Sequence, residues 1–203
     1  MTNETRLNTP NREQWLESVT SALRPHFKAQ GFTIPGNVKV TCGFPSKSAT
    51  SRKNQRIGEC WDASRSDGKH FEIFISPVVA EPLEAAAILA HELIHATVGL
   101  KASHRGPFKR CATAIGLTGK MTATVAGDVF KQWFAAKADD FGAYPHSKLN
   151  ATSAPKKQTT RMLKCECAEC RAEGAPYIVR LSSAALEIGA PICPVHNITM
   201  AEG

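Results

Sequence analysis

The sequence predicts an α+β chain in which helices pack on a small β-sheet and a small cysteine-rich module follows. Three observations predict it. Apolar residues recur at helical spacing near the start and in the middle of the chain, short β-branched and aromatic runs bounded by Gly, Pro and Asp lie between, and four of the seven cysteines fall between Cys165 and Cys193. At 203 residues the chain can bury one good core, whereas its last segment of roughly 40 residues is too short to fold without a staple such as a metal.

Trp15, Val19, Leu23 and Phe27 recur every four residues, which predicts an amphipathic helix from about Asn11 to Gln30, closed by Gly31 and bent at Pro25. Strands are expected at Val38 to Cys42, Ile57 to Ala63 and Phe71 to Ser76, with Asp67-Gly68 as a hairpin turn between the last two. A second helix opens at Pro82, carries Glu84 near its positive end and stops at Gly99. Pro107 to Gly116 reads as another helix, and Asp128 to Phe141, with Val129, Phe130, Trp133 and Phe134, as a further packing helix. Near the end, Tyr177 to Leu181 reads as a strand and Ser182 to Ile188 as a short turn or helix. Cys42, Cys60 and Cys111 stand isolated among apolar neighbours and are expected as buried thiols.

The helix from Pro82 carries His91-Glu92-Leu93-Ile94-His95. Residues four apart share one helix face, so both imidazoles can ligate one ion, with Glu92 beside them as a general base. The flanks Ala85 to Ala90, Leu93, Ile94 and Val98 are apolar nearly all round. A helix buried on that account must give its two His and its Glu partners, and a metal is the simplest common one. A catalytic zinc takes three protein ligands and keeps a position for water. His104, nine residues after His95 and beyond Gly99, is the candidate third ligand. The long metzincin pattern would need His where Lys101 stands. His26, His70 and His146 lie in separate segments and read as structural or surface residues.

At these residues the chain resembles the SprT-like domain, the metalloprotease domain also found in Spartan-type DNA-protein crosslink proteases. The resemblance rests on His91-Glu92-Leu93-Ile94-His95-Ala96, on His104 with Phe108 four residues on, and on the upstream run Ile73-Phe74-Ile75-Ser76-Pro77. Arg105 stands where many relatives have Gly. With Gly116 to Thr124 and the terminal cysteines, the arrangement is most similar to SprT-like proteins of bacteriophages and their hosts. The resemblance implies a zincin-like metalloprotease domain with His91, His95 and His104 as zinc ligands and Glu92 as catalytic base.

Cys167 and Cys170 form one Cys-x-x-Cys knuckle, and Cys193 with His196 a Cys-x-x-His knuckle, with 22 residues between them. That spacing predicts a zinc ribbon, hence a second, structural zinc. Cys165 is left over, and a register using it in place of Cys167 stays open. An odd number of cysteines and no apolar signal segment at the start argue for a reducing, cytoplasmic setting in which clustered thiols hold metal. No apolar run is long enough to cross a membrane, since His91, Glu92 and His95 interrupt the most apolar one.

The domains expected are a metalloprotease domain over 1–146, a basic linker over 147–161 and the zinc ribbon over 162–203. Net charge is +7 with a pI near 9.1. Basic residues without acids gather in the loop Pro45 to Arg56, as Lys47, Arg52, Lys53 and Arg56, and around the linker, as Lys156, Lys157, Arg161 and Lys164. Such patches neutralise phosphates without reading sequence, so a nucleic acid is the expected partner, DNA first and RNA left open. The expectation is a zinc endopeptidase that cleaves DNA-associated proteins by metal-activated water. The alternative is a non-proteolytic DNA- or transcription-associated zinc-binding protein.

Overall fold

The computed structural model describes residues 11–51, 53–151 and 162–203. The chain is mixed α and β and divides into two compact units, Met1–Ser153 and Ala154–Gly203.

In the first unit, helix α1 spans Arg12–Ala29. Its start is a capping box: Asn11 Oδ1 accepts from the Gln14 N–H and Gln14 Oε1 from the Asn11 N–H, both at 2.8 Å. The four-residue repeat buries Trp15, Val19, Leu23 and Phe27, and Pro25 lies inside the helix. Strands β1 (Val38–Cys42), β2 (Gly58–Trp61) and β3 (Phe71–Ile75) form one sheet in the order β1-β3-β2. β1 runs parallel to β3, and β2 antiparallel to it. Alternation along the strands buries Val40, Cys42, Ile73 and Ile75 on the face covered by helices. β2 is shorter than expected because Asp62 ends it: its carboxylate accepts the Ser64 N–H at 2.9 Å and caps a 3₁₀ turn at Ala63–Arg65. The β2–β3 connection is therefore the long stretch 62–70, and the turn expected at Asp67-Gly68 lies within it, closed by the Lys69 N–H donating to Ser66 O at 2.9 Å.

Helix α2 (Pro82–Val98) begins with proline in its first turn and ends at Gly99, with Ala85, Ala86, Leu89, Ala90, Leu93 and Ile94 buried. It packs on α1, β2 and β3, so it is the element around which the unit is built. Helix α3 covers Pro107–Ala114, two residues less than expected, and Gly116 at φ +91° turns the chain into a hairpin of β4 (Leu117–Lys120) and β5 (Ala123–Ala126). A Cβ on Gly116 would lie 2.6 Å from the Phe130 backbone nitrogen, so only glycine fits there. This hairpin was not anticipated from the sequence. The expected helix from Asp128 to Phe141 is two, α4 (Asp128–Ala135) and α5 (Ala138–Phe141). The break redirects the chain so that Phe141 meets the Trp15 ring edge-on and Trp15 Nε1 donates to Gly142 O at 3.1 Å. Residues expected to open the linker are tied to this unit, since the Leu149 N–H donates to Pro77 O at 2.8 Å.

The second unit is a three-stranded sheet, β7-β6-β8, of β6 (Leu163–Glu166), β7 (Ile178–Leu181) and β8 (Ala201–Glu202), with short helices α6 (Ala168–Ala172) and α7 (Ser183–Ile188). Its buried core consists of Cys165, Cys167, Cys170, Cys193 and Met200. A core of four thiols and one methionine offers little apolar burial for a unit of this size. Among the described residues no helix is long and apolar enough to cross a membrane.

Candidate metal centres

Two groups of side chains bring ligand atoms together within 4.8 Å: His91, His95 and His104 in the first unit, and Cys167, Cys170, Cys193 and His196 in the second. In the first, α2 supplies His91 and His95 one turn apart. Beyond Gly99 a 3₁₀ turn at Leu100–Ala102 and Ser103, at φ 51° and ψ −132°, bring His104 back over them. A serine in that region of backbone space costs about 1–3 kcal/mol, which the surrounding contacts must offset.

The Nε2 atoms of His91 and His104 lie 3.3 Å apart, and those of His95 and His104 3.2 Å. Nitrogens set tetrahedrally at about 2.0 Å around one ion lie about 3.3 Å from each other, so the three fit a zinc-sized cation. The Phe108 ring packs against all three imidazoles, with centroids 4.6–4.9 Å away, and is itself fully buried. Thr124 Oγ1 sits 2.8 Å from His91 Nδ1. Accepting from that nitrogen, it leaves the His91 Nε2 lone pair facing the cluster. Burial, reinforced by the neighbouring imidazoles, pushes His91 down to about 3 and His95 to about 4. His104 is lowered by burial and by the Arg56 charge. All three are therefore neutral at physiological pH, as ligands must be.

Glu92 is buried next to this set but is not in it. Burial raises its carboxyl to about 8, the Arg56 charge opposing and Glu59 adding to the shift. Its Oε1 lies 2.5 Å from the point where a Cβ on Gly58 would stand, and Ile88 Cγ2 2.7 Å from it, so glycine lets β2 close over the carboxylate. A cleft of about 550 Å³ opens here, with Ile57, Gly58, Glu59 and Cys60 on one side and Thr122 and Thr124 on the other. Cys60, expected to be buried, is only partly buried at its wall, while Cys42 and Cys111 are buried as expected.

In the second group, Cys170 Sγ lies 3.7 Å from Cys193 Sγ and 3.2 Å from His196 Nδ1, and Cys167 Sγ lies 3.6 Å from the same nitrogen. The edges of a zinc tetrahedron with two or three thiolates are about 3.8 Å between sulfurs and about 3.6 Å between sulfur and nitrogen. Cys165 stands outside this group. Although burial acts the other way, the backbone N–H groups of His196 and Val195 help bring the Cys193 thiol down to about 6, favouring the thiolate. The other His196 nitrogen, Nε2, faces Glu173 Oε1 at 3.3 Å.

The basic candidates fare unevenly. Lys47 and Lys53 are exposed. Arg56 is paired with Glu59 at 2.6 Å, and Lys164 with Glu166 at 2.5 Å, so neither is a free cation. Arg52, Lys156, Lys157 and Arg161 lie outside the described residues. The histidines set aside have local roles: His26 Nε2 contacts Ile115 O at 3.0 Å and His146 Nε2 contacts Pro77 O at 2.8 Å. Thr124, Gly58 and Glu59 were not singled out as site residues in the sequence, because each meets its partner on another element. Comparison with protein-family models, curated proteins and solved structures returns no match.

Proposed function

We propose that the chain is a zinc-dependent endopeptidase of the SprT-like kind, with a zincin-like first unit and a zinc ribbon behind it, that cleaves DNA-associated proteins inside the cell. The observation that carries this reading is the placement of Glu92, buried beside His91 yet outside the ligand set, on the cleft onto which three neutral imidazoles open. Zinc held by His91, His95 and His104 would supply Lewis-acid chemistry at the cleft. Glu92 takes a proton from the attacking water and returns it to the leaving amine. Thr124 holds His91 in orientation, and Phe108 keeps water from beneath the imidazoles. Net charge +7 and the exposed Lys47 and Lys53 support a polyanion partner.

The test is Glu92→Gln in the full chain, with cleavage of a DNA-bound protein and zinc content read together. Cleavage is expected to vanish with zinc and fold retained. Undiminished cleavage by that variant would remove Glu92 from the mechanism. DNA affinity without proteolysis by the zinc-loaded wild type would favour the non-proteolytic reading instead.

A further inference from the structure

We propose that Arg56, clamped by Glu59, is the anion-binding group of the metal cleft and holds the carbonyl oxygen of the substrate as it becomes negative. The inference rests on the peptidase reading for its substrate, while the anion site stands on geometry alone. Arg56 is the one Lys or Arg among the residues that line the described cleft, which it shares with His91, Glu92, His95 and His104. It is set there by an anchor. Its Nη1 donates to Glu59 Oε1 at 2.6 Å, and the same carboxylate accepts from the Ser46 hydroxyl at 2.8 Å, from the Ser46 N–H at 2.7 Å and from Trp61 Nε1 at 3.0 Å. Those donors hold Glu59 ionised, below the usual carboxylate range, even though burial pulls the other way.

Arg56 is otherwise half-exposed. A guanidinium has five N–H donors in a planar fork, and the ion pair engages one of its terminal nitrogens, so the rest of the fork is available to a ligand. The anchor lies on β2 and in the loop before it, not on α2, so Arg56 is positioned independently of the histidines. In the reaction, the water oxygen bonds to the carbonyl carbon, the π pair moves to the carbonyl oxygen and Glu92 receives the water proton. Arg56 stabilises that oxygen until its pair re-forms the carbonyl, the C–N bond breaks and Glu92 protonates the amine, releasing acid and amine. A preorganised donor aimed at developing charge acts most strongly in a site shielded from water.

The probe is inorganic phosphate, titrated into the full-length cobalt-loaded protein and followed by ³¹P line broadening. The Cys167, Cys170, Cys193 and His196 group offers four ligands and leaves no position for phosphate, so broadening reports the three-histidine site. Arg56→Gln is expected to weaken phosphate binding about tenfold with cobalt content unchanged, Arg56→Lys less, and Glu59→Gln to weaken it by releasing the anchor. On peptide cleavage, Arg56→Gln should lower kcat about a hundredfold with little change in KM. Phosphate binding to Arg56→Gln as tight as to wild type, or no broadening by wild type beyond that of the cobalt-free protein, overturns the proposal. Loss of phosphate affinity in a protein that cleaves nothing would support the anion site while refuting the peptidase reading.

Discussion

Gly58 is the residue where the sheet meets the Glu92 carboxylate. A methyl group there would fall 2.5 Å from Glu92 Oε1 and 2.7 Å from Ile88 Cγ2, closer than side chains approach one another. Gly58→Ala is therefore expected to destabilise the first unit by about 1–3 kcal/mol and to displace Glu92. Denaturant melts and cleavage assays check this, and a variant as stable and active as wild type would mean that β2 can retreat at no cost. The imidazoles make a second prediction at this scale. Burial places His91 near 3 and His95 near 4, against an ordinary 6.5. Groups whose folded pKa is depressed contribute stability that is present above the unfolded value and lost as pH falls through the folded one. The metal-free protein should accordingly lose stability between about pH 6.5 and about pH 3, and His91→Gln should flatten that part of the profile. Calorimetric melts of the two proteins across the window give the comparison.

Among the elements, α2 illustrates how local pattern and packing divide the work. Its first-turn proline, its Gly99 stop and the four-residue spacing of His91 and His95 are all readable along the chain. Its surroundings are not, since the β4–β5 hairpin that brings Thr124 to His91 lies thirty-three residues further on. The terminal knuckles are likewise local: Cys167 with Cys170 and Cys193 with His196 each close a short loop. Between them, the apolar core of the unit has Met200 as its one fully buried residue besides thiols among the described residues, so a metal bound there would supply much of its folding free energy. Replacing Cys170 or Cys193 by Ser should unfold residues 162–203 and release one zinc, leaving the first unit folded with the other. Elemental analysis with hydrogen exchange tests it, and retention of both ions with protected amides in the second unit would contradict it.

For the whole molecule, the charge excess sets how a polyanion would be held. Affinity for DNA should fall steeply with salt, and neutralising the exposed Lys47 and Lys53 should reduce the slope of log K against log salt by about one or two. Arg56→Gln, by contrast, should leave that slope nearly unchanged, since Arg56 lines the cleft with the three histidines and is held there by Glu59. Salt titrations of DNA binding by the three proteins distinguish the cases, and equal slopes for all would remove the Pro45 to Arg56 loop as a contact.

The sequence by itself determined what short-range periodicity controls. It placed α1, α2 and the strands β1, β2, β3 and β7 within a few residues, and it picked out His91, Glu92, His95, His104 and both cysteine knuckles as ligand and base candidates. Offsets of three or four residues fix geometry on a helix or in a tight loop whatever lies elsewhere. Only the tertiary structure decided that His104 reaches the other two imidazoles, that Cys165 stands outside the sulfur group, and that Arg56 is anchored by Glu59 on the cleft beside the three histidines. It also decided where the packing helix breaks, and that Gly58 and Thr124 matter at all. Each of those outcomes depends on contacts between separate elements, and a contact of that kind leaves no periodic trace in either partner's own stretch of chain.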